Sequence, residues 1–176
     1  MKATWMPAIY FVVGQAGWFA CVLSAAHGTP AIGAIVVVIL LAAHLLRVPR
    51  PLEECKFVAA AVIIGTIWDS AIVRLHLLGY HSGILIDGFA PYWITALWAL
   101  FGAQFNTTYN WLKVRPAVAA LLGAVAGPLS FRAGASLGAL QFLQPKLAAL
   151  TLAAGWAVIL PLLILVSRRW DGAATS

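Results

Sequence analysis

Charge is what this sequence has least of. Charged residues make up 9% of its 176 positions, and only five residues are acidic. Soluble domains average about 25% charged. The chain is also 63% hydrophobic, and a small soluble fold leaves a large share of its surface in water. These two facts exclude a soluble globule and point to a bilayer, where apolar surface is matched by lipid. Cysteine is scarce too, with only Cys21 and Cys55. The topology derived below sets them near opposite membrane faces, ~25–30 Å apart. A disulfide spans roughly 7 Å between Cα atoms, so both are expected as free thiols. No nucleophile motif, phosphate-binding loop or metal-ligand spacing is present, and His44, His76 and His81 form no pair with such spacing. No metal and no cofactor is therefore implied. The length suits one domain over residues 1–176.

The net charge is +6, but the bases do not form a patch of the kind that binds nucleic acid. Lys2, Arg47, Arg50, Lys56, Lys113, Arg115, Arg168 and Arg169 sit at the ends of apolar runs. That is the distribution of topology signals and of contacts with anionic lipid head groups. Membrane lipids are the expected partners, and nucleic acid is not.

A spanning helix needs about 20 mostly apolar residues. Six segments qualify, at about 5–26, 30–47, 56–78, 91–112, 116–139 and 146–167. Turn chemistry separates them: His27-Gly28-Thr29-Pro30, Arg47-Val48-Pro49-Arg50-Pro51, the long stretch from Gly79 to Pro91, Lys113-Val114-Arg115-Pro116, and Gln144-Pro145-Lys146. The fold class is thus an all-α transmembrane bundle of about six helices. Lys and Arg concentrate at the N-terminus, the second and fourth loops and the tail, which predicts both chain ends on the cytoplasmic side of the membrane. Trp5, Trp111 and Trp170 fall at one interface, and Tyr80, Tyr92 and Trp93 at the other, as an aromatic belt.

Ionisable groups at membrane depth need a partner or a wet cavity. Asp69 lies mid-way along the third segment, Arg74 five residues later, and Arg132 in the outer half of the fifth. Five residues rotate ~140° around a helix, so Asp69 and Arg74 are poorly placed to pair, and Arg132 is the leading candidate partner. This cluster is read either as a packing device with snorkelling arginines or as the polar floor of a pocket. Gln15 and Asn106 add hydrogen-bonding groups, which also join helices at a modest ~0.6 kcal/mol each. Trp18, Trp68 and Trp98 lie deep and serve as core or as pocket walls. Glu53 and Glu54 read as the acidic first turn of a helix. Gly123, Gly127, Ser130, Gly134 and Gly138 form a small-residue stripe for close helix packing, beside Pro128.

Several stretches resemble a known family. They are Gln15 to Leu23, Gly65-Thr66-Ile67-Trp68-Asp69-Ser70, Ala90-Pro91-Tyr92-Trp93 with Trp98, Asn106 to Trp111, and Ala119 to Ser130 through Gly134 and Gly138. The chain is similar to an uncharacterised family of short, six-helix bacterial inner-membrane proteins, catalogued as a domain of unknown function. The resemblance implies no activity. It implies a lipid setting, since members occur near genes for modifying membrane fatty acyl chains. The family pattern has a histidine beside the asparagine where this chain has Thr107 and Thr108, so no proton-transfer role passes to Asn106.

Three functions follow as expectations. The first is binding or transport of a lipid-like or amphipathic molecule by Asp69, Arg74 and Arg132 between tryptophan walls. The second is an intramembrane lipid-modifying enzyme using Asp69 as acid or base. The third is a non-catalytic subunit whose glycine stripe docks a partner membrane protein.

Overall fold

The computed structural model describes residues 6–174. Lys2 and Trp5, used above for orientation and for the aromatic belt, lie outside the described residues. Among the described residues six α-helices form the fold: α1 Met6–Ala26, α2 Pro30–Leu45, α3 Pro51–Arg74, α4 Tyr92–Phe105, α5 Pro116–Ser136 and α6 Pro145–Arg169. Four of them (α1, α3, α5 and α6) are long and apolar enough to cross a membrane. The outward surface agrees with that setting: Val12, Ile67, Val158 and Leu150 are 65–69% exposed. The chain is a helical membrane protein.

The boundaries depart from the sequence reading at three places. α3 starts at Pro51, five residues early, because proline suits the first helical turn and Glu53 and Glu54 meet the positive helix end. α4 stops at Phe105, short of residue 112, because the amides of Thr107 and Thr108 and the Thr107 hydroxyl all donate to the Gln104 carbonyl. A short 3-10 segment, Asn110–Val114, follows it. The third departure is a pair of strands, β1 Leu78–Tyr80 and β2 Leu140–Phe142, antiparallel with Leu78 opposite Phe142. Each follows a helix closed by a left-handed residue, His76 (φ 50°) after α3 and Gly138 (φ 87°) after α5. The two helices thus end alike and feed one small sheet. α5 runs unbroken through Pro128.

Hydrogen bonds show that the helices alternate in direction. At one end, here the sheet end, Ser82 donates to the Ala25 carbonyl (2.8 Å), Gln144 to the His76 carbonyl (3.3 Å), and the Ala90 amide to Ser70 (3.0 Å). At the other, the basic end, the C-terminus of α2, the N-terminus of α3, the C-terminus of α4 and residues 170–172 after α6 meet on Glu54. The packed pairs trace an arc: α1 and α2 sit on α4, α4 on α3, α3 on α6, and α6 on α5. The arc does not close, since α1 and α5 share no packed seam. Cys21 is buried in α1, Cys55 is exposed in α3, and both are free, as expected from their placement.

Candidate functional site: a lateral groove and a buried polar knot

The open seam between α1 and α5 is a groove of about 860 Å³, floored by α4 and flanked by α6. Ligand pockets typically occupy roughly 300–1,000 Å³. It runs from Trp93 and Leu140 at the sheet end to Thr108 and Trp111 toward the basic end. Its walls are chiefly aromatic. Trp98 and Trp156 stack with ring centroids 4.9 Å apart and planes 14° apart, and Phe101 meets both edge-on.

Asp69 is the polar centre of this groove. Its side chain is 1% exposed and lines the cavity. Trp98 Nε1 donates to Oδ2 at 2.6 Å, and Oδ1 has no hydrogen-bond partner. The Trp98 ring is held there by Gly65, because a Cβ at that position would lie inside the indole. Close by, at the sheet end, burial pushes the Tyr80 phenol well above its ordinary pKa, and the Asp69 charge adds to the shift. Gln104 lines the cavity too, and its Oε1 has no partner.

The expected Asp69–Arg132 pair does not form. Arg132 is exposed on α5, and α5 has no packed seam with α3 because α6 lies between them. Arg74 is exposed as well. It turns back to donate to the Gly88 carbonyl (3.1 Å) and covers the Phe89 ring at 4.6 Å. Neither arginine lines the groove. The cluster read from the sequence therefore resolves into one buried acid and two outward arginines, the arrangement snorkelling favours.

The other candidates divide cleanly. Gln15, Trp18 and Trp98 line the groove with Asp69. Trp68 does not: its indole packs against Gly155, joining α3 to α6. Gly123, Gly127, Ser130 and Gly134 line the groove, and Gly138 lies beyond it. At Gly123 and Gly127 the close neighbour is Trp156 of α6, so α6 occupies that part of the small-residue stripe.

Asn106 belongs to a second site at the basic end, one that sequence reasoning missed. Glu54 is fully buried there. It accepts from Asn106 Nδ2 (2.8 Å) and the Gly172 amide (3.1 Å), and its Oε1 lies 2.8 Å from His44 Nε2. His44 Nδ1 lies 3.3 Å from the Tyr10 hydroxyl. Beside this knot Lys113 pairs with Asp171 at 2.7 Å, and Arg168 donates to the Lys113 carbonyl. A signal for Glu54 was present. Glu54, Val58, Ala61, Gly65 and Asp69 recur at spacings of 4, 3, 4 and 4, one buried stripe along α3. Fifteen residues separate the two acids, about 22 Å along the axis.

A family model described as "Protein of unknown function (DUF2878)" matches residues 7–162. The chain belongs to this family. The match runs from the start of α1 into the last third of α6, and so takes in every groove residue. It bears out the resemblance carried by the Trp-Asp-Ser and glycine-proline stretches. No curated protein and no solved structure matches the chain. The family description supplies no chemistry, so function rests on the groove itself.

Proposed function

We propose that this protein crosses a bacterial inner membrane six times, with both chain ends in the cytoplasm, and binds one amphipathic, lipid-like molecule in the α1–α5 groove. The gathering of Arg47, Arg50, Lys56, Lys113, Arg115, Arg168 and Arg169 around the basic end supports the orientation. Continuity of the groove with an apolar outer face, ending inward on buried Asp69, carries the binding reading. An apolar chain reaches such a groove sideways from the bilayer without passing through water. The aromatic walls give it rigid contact area at low entropic cost. Asp69 and Gln104 then fix the polar end.

Photo-crosslinking tests this. A hexadecanol carrying a diazirine on its chain, incorporated into vesicles with the purified protein, is expected to label peptides from the groove-facing parts of α1, α4 and α5. Labelling spread evenly over outward residues such as Ile35 and Val158 would show that the groove holds nothing.

A further inference from the structure

Three features of the groove together specify a head group. First, Asp69 is 1% exposed, and a single neutral donor serves its two oxygens. A buried carboxylate without a countercharge is strongly disfavoured, and within a membrane more so. Among the described residues no lysine, arginine or histidine pairs with it. Second, among the described residues no basic side chain lines the groove. An anionic head group would find no positive partner there. Third, the polar centre is set among aromatic rings: Trp98, Trp156 and Phe101 surround one another, and Trp18 stands on the α1 wall. Ring faces attract cations, most strongly where water is excluded.

Resting on the groove reading above, we infer that the occupant is a lipophilic cation, an amphipath whose ammonium head donates to Asp69 Oδ1 while its chain lies along the aromatic wall. The ammonium supplies both the missing hydrogen bond and the missing countercharge. A neutral hydroxyl supplies only the first. A carboxylate or phosphate supplies neither. The two arginines that would have favoured an anionic head face away from the cavity.

The test compares three probes with one chain length and different heads: dodecylammonium, 1-dodecanol and dodecanoate. Binding of each radiolabelled probe is measured on the full chain in phosphatidylcholine nanodiscs, against empty nanodiscs. Dodecylammonium is expected to bind saturably and at least tenfold more tightly than the other two. Asp69→Asn should remove that preference in a protein whose far-ultraviolet dichroism and thermal unfolding match the parent chain, which shows that the variant is folded. Asp69→Glu should keep the preference. Equal or tighter binding of dodecanoate, or a cation preference that survives in Asp69→Asn, overturns the inference and leaves the groove reading intact. Saturable binding of none of the three overturns both.

Discussion

Replacing Glu54 by alanine should destabilise the purified protein by about 3–5 kcal/mol, as expected when several buried donors lose one shared acceptor. The expectation follows from what Glu54 holds. Its two oxygens tie together α2 through His44, α4 through Asn106 and the segment after α6 through the Gly172 amide. Truncation leaves His44 Nε2 and the buried Gly172 amide without an acceptor and Asn106 Nδ2 with only its longer bond to the Trp170 carbonyl (3.3 Å), and each orphan costs about 1–3 kcal/mol. Glu54→Gln should lose less, since its amide oxygen still accepts from Asn106 or Gly172. Thermal unfolding in detergent, followed by circular dichroism, ranks the variants. Equal melting of Glu54→Ala and the parent chain would mean that the knot contributes nothing to stability.

The second large effect is expected at Gly65. An added side chain would run into the Trp98 indole, which sits directly over the glycine. The ring has to leave. With it go the one hydrogen bond to the Asp69 carboxyl among the described residues and the stack on Trp156. Overpacking of this kind costs about 1–3 kcal/mol, but the functional loss should exceed the loss of stability, because the displaced ring then fills the groove. Gly65→Val is predicted to abolish the near-ultraviolet dichroism of the stacked tryptophans and to weaken probe binding at least tenfold. Gly134→Ala is the matched control. It lines the same groove, and its new methyl would meet only Leu140 Cδ2, at 3.3 Å. A Gly65→Val protein with native dichroism would contradict the packing described for Trp98.

The helices were legible in the sequence because the signal is one of composition: long apolar runs, with proline and basic residues at the breaks. The two strands were not. Three residues each, they follow the left-handed closures at His76 and Gly138 and owe their pairing to partners more than 60 positions away, Leu78 to Phe142. Of the candidate site, Asp69, Gln15, Trp18 and Trp98 were found by asking which polar and aromatic groups sit at membrane depth. The arginines were assigned to the same site on depth alone. Depth does not fix the angle around the helix, and their long stems reach back to the surface. Glu54 was passed over for the opposite reason. Its position near a basic loop suggested a solvated first turn, whereas its phase along α3 matches that of Asp69. Glu53, one residue earlier, faces out and pairs with Lys56 at 2.7 Å. Neighbouring acids on one helix turn thus have opposite fates, set by the ~100° between them.

The claim that one amphipathic molecule occupies the α1–α5 groove is tested most directly by filling the groove. Ala126 lines it and is exposed on α5, so a larger side chain has room to enter the cavity without displacing the core. Native mass spectrometry of protein released from nanodiscs doped with dodecylammonium should show a one-to-one complex for the parent chain and the bare protein for Ala126→Trp. Equal retention of the probe by both would place it outside the groove and contradict the account.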